Sequence, residues 1–552
     1  MFRIARILGL LALTACSVTP DRPQLLEGGA VASPEPRAAE IGAEVLRRGG
    51  NAVDAAVAVG FALAVTLPAA GNIGGGGFML IHQGDEQVAI DYRETAPSAA
   101  SRDMYLTEAG EVHPNRSRWG HLAAGVPGTV HGLWTAHQLY GSLPWVSLLA
   151  PAISLAEEGW PLDEARARRF SVMALLTNAL DLNFSRYFGG EKGMLFRQPA
   201  LAETLKRIAS EGPAGFYEGH TADLIVAEMR RGGGLITRSD LRRYRSVIRK
   251  PIAASIGDLR IVSMPPPSSG GVALIQMLKM AALQELPERN SSAYIHRIAE
   301  IEKRVFADRS HYLGDPDRVR VPARVLISDD YIEARYREIR SEARSEPESI
   351  SWGKVESEET THFSIVDRWG QAVSNTYTLN GGYGSGVVVG GAGFLLNNQM
   401  DDFSAKPGAP NLYGVTGGEA NAIAPGKRML SSMSPTFVYR EGRLWLVLGS
   451  PGGPTIFTSV FQVIMNRTLF GMTLDEAVQA PRFHHQWPPR DHDSIRVESG
   501  SQLSRETERG LVSLGYTIAV SSPLGDVQAI EIGLDRAHAV SDHRGIGKSI
   551  SE

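Results

Sequence analysis

The sequence predicts an α+β fold in which helices flank two antiparallel sheets. Helical patterns follow one another in blocks through about Glu228 instead of alternating with strands. Two segments read as hairpins, "GFMLIHQGDEQVAIDYRE" around a "QGDE" turn and "IVDRWGQAV" farther on. A chain of 552 residues that is 43% hydrophobic and 21% charged has ample material for a large core.

In chain order, the sequence opens "MFRIARILGLLALTACSV". Arg3 and Arg6 precede an apolar stretch, Ile7 to Ala15, too short to span a bilayer. "LTAC" resembles the lipobox of bacterial lipoproteins. That resemblance makes 1–15 a signal peptide and 16–28 a linker, with Cys16 the lipidation site. A plain secretory signal is the alternative. Cys16 is the sole cysteine, which excludes a disulfide framework and a thiolate metal site. The expected location is the periplasm, with the chain held to the outer membrane by the lipid alone; Ser17 is compatible with that sorting.

"SPEPRAAEIGAEVLRRGG" reads as a helix with Pro36 near its start and Gly49-Gly50 closing it. "NAVDAAVAVGFALAVTLP" is apolar on nearly every face, hence a buried helix that stops at Pro68. "SMPPPSSGG" reads as a structured turn and "SAYIHRIAEIEKRVFADRSHYL" as an amphipathic helix. From Arg340 to Glu359 the chain is polar and poor in core residues, which predicts a mobile segment. Strands are expected to dominate from there to about Gly453, followed by a helix and more strands.

A net charge of -4 gives no field that favours nucleic acid or an acidic membrane surface. "GNIGGGGF" has the glycines of a phosphate loop but precedes a strand, and "GIGKS" carries Asp542 where a Walker motif needs its first glycine. "RFHHQW" with His492 could suggest a metal, but adjacent His484 and His485 point to opposite faces of a strand and do not easily share an ion, which favours a structural role. No metal and no organic cofactor is expected.

The second hairpin is the more informative. In "TTHFSIVDRWGQAVSNTYTLNGG", Asp367 suits the first position of a type I turn and Gly370 the left-handed residue that follows. Asp367 then faces Gln371, and the same register sets Thr360 opposite Thr378, with Asn380 on the same sheet face. Packed hydroxyls on a threonine-rich strand are one reading of that convergence. The other is a cut before Thr360. A threonine at a chain N-terminus has its own α-amino group as a base within reach of its hydroxyl.

"TTHFSIVD", "TYTLN", "NNQMDDFSAKPG", "KRMLSSMSPT" and "GSPGG" resemble, in order, the signatures of bacterial γ-glutamyltransferases, also called glutathione hydrolases. "GGNAVDAAVAVGFALAVTLP", "GNIGGGGFM", "DYRETAP", "MPPPSSGG" and "ADRSHYLGDP" upstream, and "APRFHHQW" downstream, match the same family. The resemblance implies the N-terminal-nucleophile hydrolase fold, a four-layer αββα sandwich. It also implies a precursor cleaved between Glu359 and Thr360 into a large subunit, 29–359, and a small catalytic subunit, 360–552, which stay together as a heterodimer.

Carried over position by position, the resemblance makes Thr360 the nucleophile and Thr378 the second catalytic threonine. Arg93 matches the ligand of the substrate α-carboxylate, assisted by Ser431 and Ser432. Asn380, Gln399 and Asp402 match the groups around the α-ammonium, and Gly452 and Gly453 the oxyanion hole. Tyr413 sits where the lid loop of family transpeptidases carries a tyrosine. The residue types suit these tasks, since a γ-glutamyl head is a zwitterion that needs a fork for carboxylate and an acceptor for ammonium.

The implied donors are glutathione and other γ-glutamyl compounds, and the implied acceptors are water and amino acids or dipeptides. Pro454-Thr455 after "SPGG", Trp369 in the hairpin turn and the basic-rich Arg340 region depart from the family pattern. An acylase of β-lactam side chains shares the fold and nucleophile, but the retained "NNQMDDFS" and lid oppose it. A non-catalytic envelope protein that binds γ-glutamyl compounds is the reading from another class.

Overall fold

The computed structural model describes residues 25–346, 349–350, 354–355, 361–409, 411–412, 415–487, 493–500 and 503–552. Cys16, Glu359, Thr360, Tyr413 and His492 lie outside them, as does the expected signal peptide.

Two antiparallel sheets form the centre. One contains β1 (Ala30–Ser33), β2 (Gly76–Gln83), β3 (Glu86–Asp91) and β4 (Val247–Arg249). The other begins with β5 (Ile252–Ile256) and β6 (Leu259–Ser263). The chain returns to the first sheet with β7 (Thr361–Val366) and β8 (Ala372–Thr378). It then adds β9 (Thr436–Arg440), β10 (Arg443–Gly449), β11 (Gln528–Ile532) and β12 (Ala537–Ser541) to the second, and closes with β13 (Lys548–Ser551) in the first. The strand orders are β13-β1-β7-β8-β2-β3-β4 and β12-β11-β10-β9-β6-β5. Each sheet thus mixes strands from before and after position 360, so the two expected subunits interlace in one composite domain.

Alternation along the strands builds the layers. On β2, Phe78 and Leu80 point between the sheets, where they meet Val262, Phe437, Val447 and Ile530. Met79 and Ile81 point the other way, into a helical layer with α1 (Pro36–Arg47) and α2 (Ala52–Thr66). On the far side, α4 (Gly270–Ala282), α5 (Ser292–Tyr312) and α6 (Thr455–Thr468) cover Ile261, Val438, Leu446 and Leu448 of the second sheet. The result is the expected αββα sandwich. In the first helical layer, α3 (Glu164–Thr177) lies farther along the chain.

Every residue of α2 is buried, as its all-round apolar pattern requires. Asn51 and Asp54 form a capping box at its N-terminus. The threonine hairpin has the expected register: Thr361 faces Tyr377 and Val366 faces Ala372. Gly370 has φ +82°, the left-handed position of the turn.

Three expectations need correction. Helix α5 is not amphipathic: Tyr294 to Ser310 is buried with its charges, save Arg297, because the helix is covered on all sides. The segment after Arg340 is anchored where it is described. Arg344 pairs with Asp493 at 2.8 Å, Ser345 N donates to Glu300 at 3.1 Å, and the Arg340 carbonyl lies 2.7 Å from His296 Nε2. Strands do not dominate up to Gly453, since most of the described chain between Thr378 and Thr436 is loop and short 3-10 turn.

Candidate active site

Loops at the ends of the central strands converge on Arg93, just past β3. Its side chain is 1% exposed. Its Nη2 donates to Asp402 Oδ2 at 2.5 Å and to the Leu430 carbonyl at 2.9 Å, and its Nε donates to the Met429 carbonyl at 3.3 Å. Gln399 Nε2 donates to the same Asp402 oxygen at 2.7 Å. Arg93, Gln399 and Asp402 therefore share one cluster, with Ser431 and Ser432 immediately after the carbonyls that hold Arg93.

Thr378 ends β8. Its hydroxyl accepts the Asn380 N–H at 2.8 Å, and Asn380 Nδ2 donates to the Asn398 carbonyl at 3.1 Å, one residue before Gln399. Asn380 sits at φ +77°, a conformation asparagine tolerates better than most residues. The threonine at the strand end is so linked through Asn380 to Asn398, the residue next to Gln399. Gly452 and Gly453 adopt φ +124° and +52° just beyond β10. The β10 strand lies over β7: a Cβ on Gly449 would fall 2.4 Å from the His362 ring. A single cavity of about 820 Å³ is lined by both Thr361 and Gly452. Arg93, Gln399 and Asp402 are not among the residues that line this cavity.

The glycine run "GGGG" has its reason here. A Cβ on Gly75 would sit 2.0 Å from the Thr378 carbonyl, and one on Gly76 would sit 2.6 Å from Glu94 Oε2. Close backbone approach to the site strand, not phosphate binding, requires those residues.

Several functional neighbours escaped sequence reasoning. Glu94 is fully buried beside Arg93, and burial lifts its carboxyl to about 8 against the pull of Arg93. Asp401 is lifted to about 6 by burial, with the Asp402 charge adding to it, while Ser117 and the Leu412 N–H bond to it. Arg309 donates to Ser432 Oγ at 3.0 Å and to Ser269 Oγ at 2.9 Å, and Ser269 Oγ donates to the Ser431 carbonyl at 2.6 Å. The motifs "ADRSHYLGDP" and "PPSSGG" carried Arg309 and Ser269, but nothing local ties them to Ser431. His362 is pushed down to about 3 by burial, so it stays neutral between Thr376 and Ser364. His484 and His485 bond separately, to Thr458 and Gln486 and to Asp493.

Comparisons with known proteins agree with this geometry. A family profile described as Gamma-glutamyltranspeptidase matches residues 38–551. The glutathione hydrolase proenzyme of Pseudomonas aeruginosa is 50% identical over 98% of both chains. That of Escherichia coli K12 is 44% identical over 95% of this chain and 92% of its own. Among solved structures, a cephalosporin acylase from Bacillus halodurans superposes with TM-score 0.85 at 26% identity, covering 98% of this chain and 99% of its own. A gamma-glutamyltranspeptidase from Pseudomonas nitroreducens, complexed with L-DON, gives TM-score 0.57 at 48% identity over 59% of this chain and 98% of its own. The sandwich is the N-terminal-nucleophile hydrolase fold. The chain belongs to the gamma-glutamyltranspeptidase family.

Proposed function

We propose that this chain is the precursor of a γ-glutamyltransferase and glutathione hydrolase that cuts itself between Glu359 and Thr360. The observation that carries the reading is the Arg93–Asp402 pair. Each member neutralises the other while the site is empty, and a γ-glutamyl zwitterion supplies a carboxylate for Arg93 and an ammonium for Asp402. One ion pair is exchanged for two without net charge entering a buried site. Gln399 and Asn380 complete the ammonium side, and Ser431 and Ser432 the carboxylate side.

In the precursor the Thr360 hydroxyl attacks the Glu359 carbonyl, and the ester formed is hydrolysed. In the cut enzyme the Thr360 amine takes the hydroxyl proton and the oxygen attacks the γ-amide carbon. Gly452 and Gly453 donate N–H groups to the oxyanion, and Thr378 supports the nucleophile from the facing strand. The amine leaves with the proton. Water, an amino acid or a dipeptide then takes the γ-glutamyl group, with Tyr413 on the lid. Residues 29–359 and 360–552 are the two subunits. Cys16 carries the lipid that anchors the enzyme to the outer membrane on its periplasmic side.

An acylase reading is favoured by the fold shared with cephalosporin acylase. Asp402 argues against it, because a glutaryl chain has no ammonium to offer. Comparing γ-glutamyl and glutaryl anilides separates the two.

The test is the intact mass and N-terminal sequence of the purified protein. Two chains are expected, the smaller beginning Thr-Thr-His-Phe. Thr360→Ala gives one uncut chain without turnover; a cut or active variant defeats the proposal.

A further inference from the structure

The cavity that holds Thr361 and Gly452 contains none of the glutamyl-head residues. Its wall from α3 presents Arg166 and Arg169, one turn apart and therefore on one face of the helix. Arg166 is 9% exposed, and its Nη2 has no hydrogen-bond acceptor; the nearest carboxylate oxygen, Glu35 Oε1, is 3.5 Å away. Its Nη1 is held by Asp163. Arg169 has no ion pair among the described residues. The other cations on this wall are committed, Lys192 to Glu164 at 3.0 Å and Arg544 to Glu498 and Asp542. Asp526 also lines the cavity, but burial and the Asp542 charge lift its carboxyl to about 7, so it carries only partial negative charge near neutrality.

We infer that this cavity is the subsite for the amine partner of the reaction, and that Arg169, with Arg166 behind it, binds that partner's free carboxylate. The inference rests on the transferase reading above. With the glutamyl head on Arg93 and Asp402, the γ-carbonyl lies at the oxyanion loop. The amine that leaves or attacks then occupies the side away from the head. In transfer, the amine nitrogen bonds to the γ-carbonyl carbon, the ester bond to Thr360 breaks, and the nitrogen's proton goes to the Thr360 oxygen. Amino acids and peptides carry a carboxylate a few bonds from that nitrogen, and a guanidinium matches it in geometry and charge.

The experiment uses the processed enzyme with γ-glutamyl-4-nitroanilide as donor, and glycylglycine against glycylglycinamide as acceptors that differ only in the carboxylate. The wild type is expected to prefer glycylglycine in kcat/KM. Arg169→Ala is expected to cut that preference about tenfold, the value of one charge-assisted hydrogen bond, with Arg169→Lys restoring part of it. Arg169 is at the surface, and Arg169→Gln gives a second test with a bulkier neutral side chain. No preference in the wild type, an unmoved preference in Arg169→Ala, or an equal loss with both acceptors overturns the inference. A wild type that never releases nitroaniline instead defeats the transferase reading itself.

Discussion

Two of the regions that bury charge in this protein differ in a way that bears on the proposed function, which assigns substrate binding to only one of them. Around α5, Lys303 lies between Glu300 at 2.8 Å and Asp493 at 2.7 Å, with all three side chains 2% exposed or less. Arg304 and Arg344 close the network. Around Arg93 the pairing is as tight, but Asp402 is 15% exposed and the groups come from loops at strand ends. The Glu94 oxygens and Gln399 Oε1 accept no hydrogen bond there, and Glu94 Oε2 lies 3.8 Å from Arg93 Nη1. Burial of charge alone therefore does not mark function. In the α5 network, fixed opposite charges on helix and loop hold Arg344 and Ser345; around Arg93, on the proposed function, a ligand takes over each half of the pair.

Cutting each region tests that distinction most directly. Lys303→Met takes the ammonium from between Glu300 and Asp493, leaving Arg304, Ser345 and Tyr516 on the one and Arg344 and His485 on the other. It should cost about 3 kcal/mol of unfolding free energy in urea melts, while turnover per folded molecule stays at the wild-type level. Asp402→Asn should do the reverse. It removes the ammonium's charged acceptor and lowers kcat/KM for a γ-glutamyl anilide about 100-fold, with the smaller change in stability. If Lys303→Met instead lowers turnover and Asp402→Asn mainly lowers stability, the division between the two regions fails.

The two regions also respond to pH with opposite signs. Glu300 is held at about 2, burial opposing and Lys303 chiefly prevailing, so its contribution is complete above the ordinary glutamate value and fades as pH falls toward 2. Glu94 is protonated up to about 8 in the folded chain, whereas the unfolded chain releases that proton near 4.5. Its contribution is therefore lost as pH rises through that interval. Glu94→Gln should flatten the decline in stability between pH 5 and pH 8, measured by urea melts at each pH. An unchanged decline would mean that Glu94 is ionised beside Arg93.

The sequence was most legible where the pattern is local. Alternation in the β2–β3 hairpin, the apolar surround of α2 and the turn chemistry at Asp367–Gly370 each fix their element within a few residues. The motif order implied the head-group residues, and the structure joins Arg93 to Asp402 and Asp402 to Gln399 by direct hydrogen bonds. Long-range bonds were hidden. Arg309 meets Ser432 from far along the chain, and Glu300 meets Ser345 across a loop. Polar residues at 340–346 read as mobile because their partners, His296 and Glu300 of α5 and Asp493 far along the chain, are buried polar groups that no local pattern ties to them.

The hairpin turn supplies the smallest expected effect and sharpens what register depends on. Trp369 is unusual for the family, yet it is 44% exposed and only its backbone N–H is engaged, by Asp367 Oδ1 at 2.8 Å. The same oxygen accepts from Gln371 N at 3.0 Å, and Asp367 Oδ2 accepts from Ala52 N, tying the turn to the start of α2. Asp367, not Trp369, holds the strand pairing that sets Thr361 opposite Tyr377. Trp369→Ser should stay within about 0.5 kcal/mol of the wild type in urea melts, with chain cleavage at the wild-type rate on a denaturing gel. A larger loss would mean that the indole, rather than the aspartate, fixes the register of the hairpin.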